Sequence, residues 1–447
     1  MCSKENPVTP PIVPRNYLLT YVLVTLLFSL WGFANDITNP MVAAFKRILL
    51  ISNFESSLVQ FAFYGGYCFM AFPAAIFIKR YTYKKGILLG LALYATGCLL
   101  FIPSGWITAF WAFLLAYFIM TCGLSFLETS SNPYILAMGD ERTATRRLNF
   151  SQAFNPVGSI MGMLVAQQLI LARMSGSPEE ERFALQQSDP TAFQQLQQHD
   201  LGIVIVPYAI LGAVVLAMFV VFLAIRLRKT PGEDNRELAL GTSFRRLLTL
   251  PRYVEGVIAQ AFYVGVQIMC WTFIIQYGVY EVGLPADVAQ GYNIVAMIIF
   301  ILSRFICTFL LQYITPGHLL MWLAIAGGVL ILGLISMGGM TGLYCLVGVS
   351  ACMSLMFPTI YGIALEGLGD DAKLGAAGLI FAIGGGCLMP PLQGAIMDMD
   401  AISIGGYSLP SVRASFILPF ICFIVVATYG YRTFKIHKPK SETSQSA

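Results

Sequence analysis

Residues 226–252 read RLRKTPGEDNRELALGTSFRRLLTLPR, a stretch with seven Lys or Arg side chains that separates two long series of apolar runs. Six runs of spanning length precede it, at about 17–43, 56–78, 86–103, 108–138, 148–172 and 201–225. Six follow it, at about 253–280, 288–313, 318–338, 342–367, 374–396 and 413–434. A bilayer crossing by a helix takes about 20 apolar residues, so each run is long enough to span. The charged stretch therefore divides the chain: residues 1–225 form an N-terminal six-helix half, 226–252 a linker, and 253–447 a C-terminal six-helix half with a tail. The fold class expected is an all-α integral membrane protein of twelve transmembrane helices in two six-helix halves. Parallel repeats of this kind place a solute site near the midplane, between the halves.

Composition points the same way. Of 447 residues 57% are hydrophobic and only 11% charged, against about 25% charged in soluble domains. A soluble enzyme or nucleic-acid binder is excluded, because a water-facing surface cannot be covered with so few solvated groups. The net charge of +4 is too small to suggest an anionic partner. What matters is where the cations fall. With the N-terminus inside, 21 of the 27 lie on the side of the termini, five lie opposite (Lys46, Arg47, Arg173, Arg182, Arg413), and Arg304 falls within a run. The positive-inside rule then predicts that both termini are cytoplasmic. The acidic, glutamine-rich loop at about 173–200 is expected to lie outside, as a solvated connection with at most a short helix. The first apolar run ends in Asn35 and Asp36 without a small-residue cleavage site, which reads as a retained span.

Chemistry is scarce and therefore conspicuous. All ten cysteines except Cys2 lie in apolar runs without zinc spacing, the three histidines sit in loops or at span ends, and HExxH and P-loop motifs are absent. No metal, cofactor or ATP-driven step is suggested. Of the 23 carboxylates, only Asp36 and Glu128 fall well inside runs. A charged carboxylate there costs several kcal/mol unless it is protonated, paired or facing water, so such residues are functional candidates by default; the competing reading is an acid that locks helices together. Near Glu128 stand Ser130, Ser131 and Asn132, and the next span carries Gln152 and Asn155, three apart and so on one helical face. Asn35, Asp36 and Asn39 crowd one side of span one. In span seven Gln260, Tyr263, Gln267 and Trp271 recur at spacings of three, four and four. Amides beside aromatic rings suit a polyhydroxylated solute, although any one amide could equally bond a neighbouring helix. Arg304 pairs with a carboxylate, lines an opening or snorkels. Gly384, Gly385 and Gly386 with Pro390 and Pro391 are expected to interrupt span eleven, and Phe357 with Pro358 span ten.

Eight ordered segments carry a resemblance: WGFANDITNP (31–40), NFESSLVQFAFYGGY (53–67), IKRYTYKKGILLGL (78–91), FLETSSNPY (126–134), LNFSQAFNPVGS (148–159), YVGVQIMCW (263–271), MFPTIYGIALEGLGDDAKLG (356–375) and IGGGCLMP (383–390). Together they resemble the L-fucose:proton symporter family of the major facilitator superfamily, from about residue 17 to 430. The resemblance implies import of a deoxyhexose or related hexose down a proton gradient, with the proton as coupling ion and no other cofactor. It implies further that Glu128 matches the family's span-four glutamate, and that Gln152 and Asn155 match cavity positions. The family's span-one acid aligns with Asn39, so Asp36 supplies a carboxylate one helical turn earlier; Phe357 stands where the fucose pattern has tyrosine.

These readings combine into one expectation: a monomeric, multi-pass sugar:proton symporter of the inner membrane. Glu128 and Asp36 would handle the proton, and Asn35, Asp36, Asn39, Glu128, Asn132, Gln152, Asn155, Tyr263, Gln267 and Trp271 would contact the sugar. The rivals are another sugar such as glucose or galactose, sodium in place of the proton, and a polytopic membrane enzyme or sensor.

Overall fold

Among the described residues, twelve helices long and apolar enough to cross a membrane follow one another: Arg15–Thr38, Asn53–Ile78, Tyr83–Ile107, Phe110–Asn132, Phe150–Leu171, Pro190–Ala224, Pro251–Tyr280, Ala286–Cys307, Pro316–Met337, Gly339–Leu365, Ala377–Met397 and Ser411–Lys435. We number them spans one to twelve. The computed structural model describes residues 13–139, 147, 150–152, 154–227, 245–311, 313–366, 368, 372–400, 402–404 and 407–435. Most of the anticipated linker, 228–244, lies outside the described residues. Large apolar side chains such as Trp106, Ile210, Phe305 and Val329 stand more than half exposed on the helix surfaces. In water that would be a liability; around a bundle of spans it is the lipid-facing belt.

With an even number of crossings the termini share one face, here called the near side, and the opposite face is the far side. Span one is longer than its apolar run. Asn39 and Pro40 both keep right-handed helical angles, and the helix Met41–Leu49 continues from them. Pro40 has no N–H to give the carbonyl of Asp36, four residues earlier, so the helix is broken in hydrogen bonding at that turn without ending. Asp36 therefore lies at mid-depth, about 20 Å from the far end of the helix at 1.5 Å per residue. Lys46 and Arg47, expected in a loop, occupy the last helical turn, where cations favour the carbonyl end.

The loop at 173–200 departs from expectation in one respect. Glu179–Ser188 is a helix, and span six begins at Pro190, capped by Asp189, whose carboxylate accepts from the backbone N–H groups of Thr191 and Ala192 at 3.1 and 3.0 Å. Arg182 and Asp200 are fully buried and paired at 2.5 Å. Arg182 also donates to the carbonyls of Ser175 and Arg47, and the N–H of Ser175 donates to Asp200 at 3.1 Å. Arg47 reaches the Ser175 carbonyl as well. Burial, then the positive charge of Arg182, draws the Arg47 guanidinium below its ordinary value. Most of the segment is exposed, as expected of a solvated connection with a short helix; the departure is this buried pair, two charges that must be paired and hydrogen-bonded and that tie the segment to the end of the helix Met41–Leu49. Arg147, also assigned to a loop, is fully buried, with its Nε donating to the Ile135 carbonyl at 2.7 Å.

Breaks in the second half fall close to expectation. Span ten is two helices, Gly339–Met353 and Met356–Leu365, parted at Ser354 and Leu355. The break precedes Phe357 and Pro358, and Pro358 sits in the first turn of the second piece, where a missing N–H costs little. Span eleven passes through a tight turn at Ala382–Gly384 before Gly385–Met397. A short hairpin, Ile402–Ile404 with Tyr407–Leu409, joins spans eleven and twelve.

The two halves repeat one contact. A Cβ on Gly158 of span five would lie 1.8 Å from the Ser29 carbonyl oxygen of span one. A Cβ on Gly385 of span eleven would lie 1.9 Å from that of Ala261 in span seven. Only glycine permits such backbone contact between helices, and spans seven and eleven hold in the second half the places of one and five in the first.

Candidate functional site

Glu128 and Asn132 are four residues apart on span four and so share a face. Glu128 is half-buried and has neither a hydrogen bond nor an ion-pair partner among the described residues. The ionisable groups in its field include Tyr67 of span two and Tyr361 of span ten. Tyr361 belongs to the other half, which puts the carboxyl near the seam between the halves. Asn132 accepts from Nε2 of Gln152 at 3.3 Å, which joins spans four and five. Gln152 is exposed, and Asn155, one turn further, donates weakly to the Phe28 carbonyl at 3.4 Å. Glu128, Asn132, Gln152 and Asn155 thus form one polar patch in the first half.

Asp36 is elsewhere, about 8 Å nearer the far side by residue count along the helices. It is 6% exposed and accepts from Nδ2 of Asn39 at 3.1 Å, while the nearby Ser159 hydroxyl of span five points to the Gly32 carbonyl at 3.5 Å. Asn39 is buried, and its Oδ1 accepts from Nε2 of Gln60 at 3.0 Å. That same nitrogen lies 2.9 Å from Oγ1 of Thr272 in span seven. Asn35 has a buried Oδ1 without a partner among the described residues.

The span-seven stripe divides in two. Tyr263 is fully buried with its hydroxyl on the Met353 carbonyl at 3.1 Å, and the Trp271 indole N–H donates to Ser350 at 3.1 Å. Both polar groups are engaged by span ten in this conformation. Gln260 is wholly buried with its amide unpartnered among the described residues, and Gln267 is half-buried. Phe357 stands edge-on to Tyr263 and stacked on Tyr361, with ring centroids 6.2 Å away in each case. Arg304 lies 4.8 Å from the centroid of the Phe300 ring and donates to the Ser354 carbonyl at 3.2 Å, both within the second half.

On the far side the halves are closed against each other. The carboxylate of Asp398, at the end of span eleven, accepts from the N–H and Nδ2 of Asn53 at 2.9 and 2.7 Å and from the N–H of Phe54 at 2.7 Å. It caps span two across the seam. Lys46 donates to the Tyr280 hydroxyl at 2.5 Å and pairs with Glu179 at 3.2 Å. A crevice of about 560 Å³ lies there, between Lys46, Glu179, Gln276 and Tyr280; none of the anticipated sugar contacts lines it. Sequence reading missed Gln60, Thr272 and Tyr361. Gln60 and Tyr361 left a signal, a lone amide inside an apolar run and a tyrosine four residues after Phe357. Thr272 left none.

A twelve-span bundle in two matched halves, with an unpaired carboxyl near the seam, defines a membrane transporter of the alternating-access kind. Residues 23–399 match the family model of the Major Facilitator Superfamily, and the chain belongs to that superfamily. Among curated proteins it is similar to the L-fucose-proton symporter of Haemophilus influenzae, at 52% identity over 96% of this chain and 99% of the relative. It is 33% identical to the L-fucose-proton symporter of Escherichia coli, over 93% of each chain. Among solved structures, the Major Facilitator Superfamily transporter FucP in the outward conformation matches with a TM-score of 0.70 and 31% identity, over 93% of this chain and 99% of that one.

Proposed function

We propose that this protein is a proton-coupled symporter that imports L-fucose or a closely related hexose across the inner membrane, with the near side cytoplasmic. The cation distribution supports that orientation, and the nature of the relatives supports the solute. Residues 1–225 and 253–447 are the two moving bodies, joined by 226–252, and rock about a central site. The observation that carries the mechanism is Glu128, a carboxyl without a partner among the described residues, near the seam with the opposite half. Charged, it resists enclosure in a dry seam; neutral, it does not. Proton loading therefore permits the carrier to reorient, and sugar stabilises the state that does so. Asp36, Asn35, Asn39, Asn132, Gln152 and Asn155 offer polar contacts to the sugar from the first half, with Gln267 opposite. Tyr263 and Trp271 contribute ring faces once their bonds to span ten rearrange. The carrier acts as a monomer and uses no cofactor beyond the proton.

The test is Glu128→Gln in sealed vesicles. Uphill uptake of labelled L-fucose driven by a proton gradient should disappear while sugar counterflow persists. Undiminished accumulation would remove Glu128 from the role. Competition by D-galactose and D-glucose, with and without a proton uncoupler, identifies the preferred sugar and separates proton from sodium coupling.

A further inference from the structure

The far-side closure contains one polar chain that leads back into the transport path. Thr272 of span seven, Gln60 of span two, Asn39 and Asp36 of span one are linked in series at 2.9, 3.0 and 3.1 Å. Gln60 is 0% exposed, and both of its short contacts use Nε2, whose two hydrogens match two acceptors on opposite sides of the seam. Its Oε1 is buried without a partner among the described residues. A side chain serving only packing would not need a donor on each half. Asn39, in turn, presents Oδ1 to Gln60 while its own Nδ2 is held by the Asp36 carboxyl.

We propose that Gln60 is a positioning residue that couples the far-side gate to Asp36. Opening the far side must separate spans two and seven and so break the contact between Gln60 and Thr272. A solute hydroxyl that takes the Asp36 oxygen now held by Asn39 frees that amide to rotate, and Gln60 loses the acceptor that orients it. Occupation of Asp36 is thereby felt at the closure, through the orientation of Gln60. The inference rests on the reading of Asp36 as a sugar contact, while the gate itself can be tested without sugar or a proton gradient.

The experiment is hydrogen exchange read by mass spectrometry on the full chain in nanodiscs, comparing wild type with Gln60→Met, Thr272→Val and the double variant. Both changes nearly preserve volume. A lost hydrogen bond of this kind is worth about 1 kcal/mol, or roughly fivefold in the gate equilibrium. Exchange at residues 53–60 and 268–280 should rise by about that factor, and exchange at the near-side ends, 72–83 and 251–258, should fall. The double variant should go no further than either single one. A far-side rise without a near-side fall would mean local loosening and overturn the gate role; additive effects would overturn the bridge. Asp36→Asn should shift the same equilibrium in wild type but not in Gln60→Met. Equal shifts in both backgrounds, or none in wild type, would disconnect Asp36 from the gate while leaving the vesicle result for Glu128 untouched.

Discussion

At the scale of single residues, the protein turns on how few polar groups lie inside it and what each one faces. Glu128 and Asp36 are both carboxyls at mid-depth, yet Asp36 is buried and held by Asn39 whereas Glu128 has no partner among the described residues. The coupling role is proposed for Glu128 because no donor among the described residues fixes its carboxyl, whereas Asp36 already spends an oxygen on Asn39. Phe357 offers a second test at this scale. It stacks on Tyr361, in the field of Glu128, so Phe357→Tyr places a hydroxyl beside the proposed sugar site. The ratio of half-saturating L-fucose to D-galactose in counterflow should change by several fold, since a buried hydroxyl with or without a sugar partner differs by about 1–3 kcal/mol. An unchanged ratio would place Phe357 outside the solute site.

Elements are held by two devices, backbone contact at glycine and pairing of buried charge. Gly158→Ala and Gly385→Ala must each push a span away from its neighbour, because the added carbon would lie 1.8 or 1.9 Å from a backbone oxygen. Overpacking of this kind costs about 1–3 kcal/mol, so both variants should unfold at lower temperature in detergent. Wild-type melting would refute the close contact. On the far side, Asp200→Asn leaves the fully buried Arg182 without its anion. The expected loss is about 3–5 kcal/mol, and the double change Arg182→Met with Asp200→Leu should recover most of it, because the penalty belongs to the unpaired charge. A double variant no better than Asp200→Asn would show that the pair is needed for more than its own neutrality. The buried pair within this otherwise exposed segment left no trace because charge counted along a chain says nothing about where charge goes. Its ends nevertheless carried helix signals, Asp189 before Pro190 being one.

For the whole molecule, orientation and conformation are the open quantities. If the near side is cytoplasmic, Glu180→Cys on the helix Glu179–Ser188 should react with a membrane-impermeant maleimide in right-side-out vesicles, and Arg245→Cys only in inverted ones, each in a background cleared of other cysteines. Both positions are exposed. The reverse pattern would invert the topology and turn the import path round. The far-side contacts of Asp398 with span two and of Lys46 with Tyr280 describe a carrier closed on that face. Import requires those same contacts to open, which places the outward-facing state one set of hydrogen bonds away.

The number of spans, their approximate ends and the two isolated carboxyls could all be read from the sequence. The span read at 253–280, for example, is the helix Pro251–Tyr280. Crossing a bilayer imposes a local demand, about 20 apolar residues in a row, and local demands leave local traces. What each polar group faces depends on residues far away along the chain. Gln60 meets Thr272 across 212 positions and Asn53 meets Asp398 across 345. Composition and the apolar runs determined that the chain is a twelve-span membrane protein, and the ordered segments it shares with a known family pointed to a carrier. Tertiary structure alone decided that Tyr263 and Trp271 bond to span ten, that Arg182 is buried, and that the far side is closed through Gln60, because each depends on the partner that folding brings within about 3 Å.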